Sequence, residues 1–580
     1  VERPDALDIG AFRAALRLRV KRLYATMRAL ARSGRPGRHF LVSGTRLGGE
    51  HGYDAAGACD GLGGGVTGFT KAWKRENPAC LAKAVDFASD AAPKAVVPAL
   101  LEETLHDAGV VEIGRRDGLR SSVGLEVQSV ADGAPGLAFG PESVFVVTGA
   151  AGSIVCAIVA DLATAFGGSF HLLDRVAEPA LDDPDLARFV SDRDGLKRDL
   201  FERLRARGER ATPALVEREL AGLERSRAAL DAILAVRAAG GTARWHAVDL
   251  LDADAVSKVM AEIRASAPVV DVVLHAAGLE VSRLLADKEP AEFDRVLDVK
   301  SEGWFHLLAG LSSHPVRAFV GFSSIAGRFG NGGQTDYSAA NDLLCKSVSA
   351  LRRSRPELRA IALDWTGWAR IGMASRGSIP KLLTEAGIGL LPPEAGIPWV
   401  RRELVSGGTR GEVLVAGALG ILGAPFEGAS GLDPAALAAA PFAGPMLAGA
   451  SVDTTPEGVT FRTLLDPSRQ AFLGDHRIEG TPVLPGVMGL EAFAEAASAL
   501  APGWRIAALE DVRFEAPFKF YRDVAREVVI RCTARRDGEA IVADCVLLGE
   551  RTLPGQPAPT VTEHFRARVR LSKEAAAQQR

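Results

Sequence analysis

Residues 143–166 read SVFVVTGAAGSIVCAIVADLATAF. The β-branched run SVFVVTG has the composition of a strand, AAGS is a glycine-containing turn, and IVCAIVADLATAF has the apolar spacing of a helix. A strand, a glycine turn and a helix place backbone N–H groups at a helix N-terminus, where the dipole favours a pyrophosphate. The same turn also serves simply to pack a helix on a strand, so the neighbouring sequence has to decide between a ligand site and plain packing.

Working outward, FHLLDR (170–175) is a second strand ending at Asp174, 25 residues after Gly149. An acid there grips a ribose 2′-hydroxyl, whereas Arg175 beside it suits a 2′-phosphate; the residues alone leave NAD and NADP both open. Residues 184–237 form a long charged insertion with Leu196, Leu200 and Leu204 at period four, a break at Thr212-Pro213, then Val216, Leu220 and Leu223. This predicts a helical hairpin laid on the surface. The strand pattern resumes in WHAVDL (245–250), VVDVVLHAAG (269–278), RAFVGFSS (317–324) and LRAIALDW (358–365), and GEVLVAG (411–417) can close the set. Repeated βα units of this kind predict a parallel, doubly wound α/β sheet.

Toward the N-terminus, residues 11–38 hold nine Arg or Lys and no acid, with Leu16, Val20, Leu23, Met27 and Leu30 at spacings of three and four. That is an amphipathic helix whose basic face is expected to be solvated, with docking of an acidic partner as the alternative. HFLVSG (39–44), GFTKAWKRE (68–76), LAKAVDFA (81–88) and PALLEETLHDAG (98–109) alternate strand-like, apolar and helical patterns, which predicts a small α/β unit to about residue 130. Its glycines at 61, 63, 64 and 65 do not directly follow a strand and are not a phosphate loop. Residues 418–450 are rich in Ala, Gly and Pro and predict a linker; a new domain begins near Ser451. There GVTFRTLL, EVVIRCTAR, AIVADCVLL and EHFRARVRL are strand-like around one apolar helix, GVMGLEAFAEAASAL, which antiparallel strands would bury on most sides.

At 580 residues the chain amounts to roughly three to four folding units, or two if one is large. A small binding module is excluded. With 69 Lys+Arg against 72 Asp+Glu and a net charge of −3, it has no general field for nucleic acid. Six scattered cysteines without a C-x-x-C pair fit neither a disulfide framework nor a zinc site, so no metal is expected and a reducing, cytoplasmic setting is. No signal segment and no run of about 18 apolar residues stands out, so no membrane is expected. The chain begins without Met, which leads us to expect a piece of something longer.

FSSIAGRFGNGGQTDYSAAN (322–341) sets a serine at a strand end, a tyrosine 13 residues later and an asparagine four beyond it. On a helix Tyr337 and Asn341 share a face, and the sheet edge brings Ser324 near both, outside the strand ends where ligands of α/β sheets bind. With these motifs in hand, the sequence resembles the short-chain dehydrogenase/reductase superfamily, and more narrowly the ketoreductase domains of modular polyketide and polyunsaturated-fatty-acid synthases. Gly149 and Gly152 match the nucleotide turn, His275 to Gly278 (HAAG) takes the place of the family's Asn-Ala-Ala-Gly, and Ser324, Tyr337 and Asn341 keep the active-site spacing. Lys300, in VLDVKSEGWFHLL, discriminates: simple members carry the lysine four residues after the tyrosine, where this chain has Asn341, while megasynthase ketoreductases resemble this chain in placing it one helix earlier.

The resemblance implies a truncated, non-catalytic Rossmann-like subdomain over 1–135 and a catalytic Rossmann subdomain over 141–420. It implies NADPH held by Gly149, Ala151, Gly152, Ser153, Asp174, Arg175, Asp249, Ala276, Ala277 and Gly278, with Arg175 matching the family's 2′-phosphate arginine. Lys300 would lower the phenol pKa of Tyr337, ordinarily about 10, so that Tyr337 protonates the β-keto oxygen while Ser324 bonds it and Asn341 orders water or the lysine. The chain departs from the family at Ser153 and Val155, which replace glycines, at Leu279-Glu280-Val281-Ser282, and at Phe329; alcohol configuration stays open. The long insertion is more like the polyunsaturated-fatty-acid and enediyne-type iterative synthases.

In residues 451–580, FLGDHRIEGTPVLPGVMGLEAF contains His-x3-Gly-x4-Pro at His476, Gly480 and Pro485, and resembles the hot-dog dehydratases of the same synthases, an α+β fold. The resemblance implies His476 as the base facing an apolar acyl tunnel, neutral there and able to take the α-proton of a β-hydroxyacyl thioester. Its acid partner is open: Glu491 matches stand-alone bacterial dehydratases, and other synthases take the acid from a second repeat. The implied partners are an acyl carrier protein with a phosphopantetheine-tethered chain and other synthase domains, with a homodimer through the hot-dog domain. A free-standing dehydrogenase and a non-catalytic carrier-binding scaffold are the rival readings.

Overall fold

The computed structural model describes residues 8–33, 40–105, 109–424, 444–455, 458–551 and 560–573. The chain divides into two compact units, Val1–Ala84 with Gly124–Ala424, and Val85–Val123 with Pro425–Arg580. Residues 85–123, which the sequence pattern assigns to the N-terminal α/β unit, thus fall in the second.

In the first unit β1 (Phe40–Thr45) precedes the helix Gly63–Glu76; β2 (Leu81–Phe87) begins in the first unit and ends in the second, to which β3 (Glu112–Arg116) and β4 (Leu119–Ser122) belong. The main sheet has seven strands: β5 (Val144–Thr148), β6 (Ser169–Asp174), β7 (Thr242–Ala247), β8 (Val270–His275), β9 (Val316–Ser324), β10 (Arg359–Trp365) and β11 (Glu412–Val415). Their order is β11-β10-β9-β8-β5-β6-β7 and every pairing is parallel. The strand order reverses beside β5, so the crevice at the carboxyl ends of β5 and β8 is the switch point at which such sheets bind ligands.

Alternate residues of β5 show why the sheet needs cover on both faces. Phe145 and Val147 pack with Ile158, Leu162, Ile233 and Val236 on one side, while Val144 and Val146 pack with Met260, Ile263, Trp304 and Val348 on the other. The insertion is part of this cover. Leu196, Leu200, Leu204, Val216 and Leu220 form a small hairpin core as the spacing predicts. The last half of the helix Pro213–Ala238, however, lies in the main core, because it is the crossover between β6 and β7. A hairpin merely laid on the surface is therefore corrected.

The N-terminal amphipathic helix runs Ile9–Leu16 and Arg22–Arg32 through a π-turn, Arg17–Lys21, and buries Phe12, Leu16, Val20, Tyr24 and Met27. Its basic face is solvated as expected at Arg13, Arg17, Arg19, Arg22 and Arg32, although Arg13 pairs with Glu302 and Arg19 with Asp60; Lys21 and Arg28 are half-buried against Asp298 and Glu289.

The glycines of GLGGG and GFT have a packing reason. A β-carbon on Gly64 would collide with the Asp342 carbonyl, and one on Gly68 with that of Ser338. Glycine lets the helix Gly63–Glu76 touch the backbone of Thr335–Ser354, the helix carrying Tyr337 and Asn341. Across this contact Lys71 pairs with Asp342 at 2.9 Å, both buried.

In the second unit, β12 (Ser451–Thr455), β13 (Gly458–Leu465), a small ladder of β14 (Arg477–Ile478) and β15 (Thr481–Pro482), then β16 (Arg505–Phe514), β17 (Arg526–Asp537), β18 (Ala540–Arg551) and β19 (Thr560–Ser572) surround the helix Gly486–Leu500. The six long strands form an antiparallel sheet in the order β12-β13-β17-β18-β19-β16. Gly489, Ala492, Phe493, Ala496 and Ala497 face it, against Phe461, Ile530, Leu547 and Val569. Val487, Glu491 and Ser498 are the exposed residues of the helix, a narrow stripe, so it is covered on most sides as expected. Met446 and Leu447 already belong to this core, their N–H groups held by Glu495, so it starts ahead of Ser451. Most of the predicted linker, residues 425–443, lies outside the described residues. Among the described residues no helix is long and apolar enough to cross a membrane.

Candidate active site

The turn after β5 is set by one glycine. Gly149 has φ +70°, and a β-carbon there would stand 2.9 Å from Ala277 N, so only glycine allows the turn to lie against the end of β8. Gly152 caps the helix Ser153–Phe166. Thr148 Oγ1, at the end of β5, accepts the N–H groups of Ala276 and Ala277 at 3.1 and 3.2 Å and lies 3.0 Å from His275 Nδ1. His275 Nε2 is 3.0 Å from the Lys300 carbonyl, which can only accept, so Nε2 carries the hydrogen and the Thr148 hydroxyl donates to Nδ1. Burial, reinforced by the Lys300 charge, pushes this imidazole down to about 3. The histidine in the family's asparagine position is a neutral strut between β5, β8 and the helix Pro290–Gly310.

These elements open on a cavity of about 540 Å³. Gly149, Ala151, Gly152, Ser153, Asp174, Arg175, Asp249, Ala276, Ala277 and Gly278 line it together with Lys300, Ser324 and Tyr337. Asn341 stands behind this wall. Its Nδ2 donates to the Tyr337 carbonyl at 2.8 Å, and its buried Oδ1 has no hydrogen-bond partner among the described residues. A role in ordering the lysine is not what these contacts display.

Ser324 ends β9, and its Oγ accepts the Ala326 N–H at 3.2 Å, capping the helix Ile325–Phe329. Tyr337 lies in the first turn of Thr335–Ser354, half-buried, and burial raises its phenol while hydrogen bonds from Ser324 and Asn341 oppose the shift. Lys300 is buried, donates to the Phe322 carbonyl at 2.6 Å, and is pushed down to about 8 by burial against opposition from Cys345 and Asp364. The depressed phenol expected from the Lys300 neighbourhood is therefore corrected. Desolvation of the ring dominates, and the ammonium spends a hydrogen bond on a backbone carbonyl.

Several contacts escaped the sequence. Gly372, in the loop after β10, donates its N–H at 3.1 Å to Ser153 and so ties that loop to the nucleotide turn. Lys288 and Asp336, both fully buried, meet at 2.8 Å, and Asp336 also accepts the Tyr337 N–H at 2.8 Å, fixing the start of the tyrosine helix. Arg225, from the insertion, donates to Asp174 at 2.6 Å. None of these pairs has a periodic signature; an acid in the first turn of a helix is the nearest to one.

Cys345, Asp364 and Glu412 also converge, their ligand atoms within 4.8 Å of one another, though no metal was expected. Glu412 is already held by Lys346 and Tyr53, each at 2.9 Å, and the single Cys345 S–H lies between two acceptors, Ser323 Oγ at 3.1 Å and Asp364 Oδ1 at 3.3 Å. Burial and the nearby Glu412 hold the Asp364 carboxyl well above the usual range, so a proton on Asp364 reconciles the two acids.

In the second unit His476 is exposed rather than lining an apolar tunnel. Its Nδ1 is 2.8 Å from the Val483 carbonyl, so Nδ1 carries the hydrogen and Nε2 is the basic nitrogen of the neutral ring. Glu491 is exposed on the helix that follows.

A doubly wound sheet whose switch-point cavity gathers a glycine turn, a strand-end serine, a tyrosine and a buried lysine is an architecture that can hold a dinucleotide beside a proton donor. Residues 143–370 match the KR domain family, and residues 445–543 match the polyketide synthase dehydratase domain. It is 25% identical over 556 residues to a polyunsaturated fatty acid synthase polypeptide of Thraustochytrium sp., covering 93% of this chain and 18% of that protein. It is 36% identical over 162 residues to polyketide synthase GfsB of Streptomyces halstedii, covering 28% of this chain and 3% of that one. The crystal structure of a ketoreductase domain from the bacillaene assembly line shares the fold with a TM-score of 0.53 at 20% identity, covering 70% of this chain and 84% of that one. The chain thus spans less than a fifth of the length of the curated relatives it matches.

Proposed function

We propose that residues 141–420, supported by a non-catalytic subdomain over residues 1–135, reduce a carrier-bound β-ketoacyl thioester to the β-hydroxyacyl thioester with NADPH. Residues 451–580 then dehydrate that product to the enoyl thioester. The observation that carries this reading is the single cavity onto which Ser324, Tyr337 and Lys300 open together with the nucleotide turn.

The glycine cradle at Gly149 and the helix start at Ser153 fit a dinucleotide pyrophosphate, and Arg175, half-exposed at the end of β6, fits a 2′-phosphate. When bound, the nicotinamide supplies the hydride for C3 of the acyl chain. Tyr337 O–H donates its proton to the β-keto oxygen, and Ser324 O–H bonds that oxygen as charge develops on it. Lys300, charged below about pH 8, supports the phenolate that remains. At His476, Nε2 takes the α-proton of the hydroxyacyl thioester, and the C3–O bond breaks as the imidazolium so formed returns that proton to the departing hydroxyl, which leaves as water.

The same reading makes an acyl carrier protein and further synthase domains the partners, and a homodimer through the C-terminal domain the assembly. A reducing cytoplasm suits the six unpaired cysteines. Oxidation of NADPH by the full chain with a 3-oxoacyl thioester mimic tests the reductase. We expect turnover that Tyr337→Phe lowers by about 10²–10⁴-fold while nucleotide binding persists. A Tyr337→Phe variant as fast as the parent would contradict it.

A further inference from the structure

The crossover helix Pro213–Ala238 brings Glu224 and Arg225 into the cavity wall beside the end of β6. Arg225 Nη2 donates to Asp174 Oδ1 at 2.6 Å, the Val176 N–H reaches the same oxygen at 3.2 Å, and the Ala151 N–H reaches Oδ2 at 3.1 Å. The Asp174 side chain is 3% exposed and that of Arg225 46%. A carboxylate at this place serves the ribose 2′-hydroxyl through an oxygen open to the cleft, and three of its roughly four lone-pair sites are taken here. Here both oxygens already accept N–H groups, and the acid is buried while the guanidinium stays half in the open.

A guanidinium has five N–H donors in a planar fork, and Asp174 engages one nitrogen of it. The remainder stands at the cavity mouth with Arg175, itself half-exposed and paired with Asp249 at 3.2 Å. On the same helix Glu224 holds Arg376, another cavity residue, at 3.3 Å. The insertion thereby cancels the buried negative charge that would repel a phosphate and sets a cation in its place.

We propose that the helical insertion is a working part of the nucleotide site. Arg225 withdraws Asp174 from ribose recognition and, together with Arg175, binds the 2′-phosphate, so that this helix sets the preference for the phosphorylated cofactor. The inference rests on the NADPH reading above.

Calorimetric titration of the full chain with 2′,5′-ADP and with 5′-ADP separates the two. The parent chain should prefer 2′,5′-ADP, and Arg225→Ala should reduce that preference by about tenfold or more, the scale of a charge-assisted hydrogen bond, with 5′-ADP affinity within about threefold of the parent. Because Arg225→Ala leaves a buried carboxylate without its partner, the double variant Asp174→Asn, Arg225→Ala is titrated alongside and should show the same loss. A parent preference that persists undiminished in the double variant would show that Arg175 suffices and would overturn this inference while the NADPH reading stands. A parent chain that binds both ligands equally would overturn both.

Discussion

Lys300 is the residue on which the chemistry turns, because burial has already taken part of its proton affinity and left it near about 8. Tyr337, raised by burial, keeps its proton across the same range. We therefore expect kcat/KM for ketoreduction to hold up to about pH 8 and to fall above it as the ammonium discharges. A pH–rate profile flat through about pH 9.5 would contradict the assignment. The sign for stability is opposite. Below about pH 8 the ammonium is charged whether the chain is folded or unfolded, and the fold disfavours it. From there to the unfolded value of about 10.4 the unfolded chain binds more protons, so stability rises with pH. Lys300→Met should raise the melting temperature by a few degrees at pH 7 and lose that advantage by about pH 10.5, read by thermal denaturation at both values. The spacing of Ser324, Tyr337 and Asn341 was legible because a strand end and one helical face fix it locally. The partners that hold them were not: Lys288 and Asp336 lie 48 residues apart, and such a pair leaves no periodic trace.

At the scale of elements, the helix Thr335–Ser354 is buried along nearly its whole length, and Gly63–Glu76 presses against it through bare α-carbons. Gly68→Ala should push the Ser338 carbonyl, next to Tyr337, out of place. We expect a loss of about 1–3 kcal/mol in denaturant unfolding together with reduced turnover, whereas Gly222→Ala, inside the helix Pro213–Ala238 with open space around it, should leave turnover unchanged and raise stability by about 0.5–1 kcal/mol. The sequence denied these glycines a phosphate role, yet a close approach between two helices far apart in the chain has no sequence mark. Six of the seven parallel strands were legible from their apolar runs; WHAVDL (245–250) overlaps only the end of β7, Thr242–Ala247, where no residue is fully buried. β16 was not, because ten residues as exposed as Arg505–Phe514 break the alternation that marks a half-buried strand.

For the whole molecule, the reductase cavity lies within one compact unit, while His476 stands in the other and is exposed. A base in water lacks the enclosure that aids removal of an α-proton. We therefore expect the 3-hydroxyacyl product to accumulate before any enoyl product in a mass-spectrometric time course, with His476→Ala abolishing the enoyl species. Enoyl product appearing from the outset would contradict this. The motif around His476 was legible by its spacing, but its surroundings depend on contacts that one stretch of sequence does not encode. The most direct test of the account follows hydride and proton together. The full chain is supplied with NADPH carrying deuterium at both C4 positions and a 3-oxoacyl thioester, and the product is analysed for label. The account predicts one deuterium at C3 of a 3-hydroxyacyl thioester, and label transfer that falls with Tyr337→Phe; a product carrying no deuterium at C3 would contradict it.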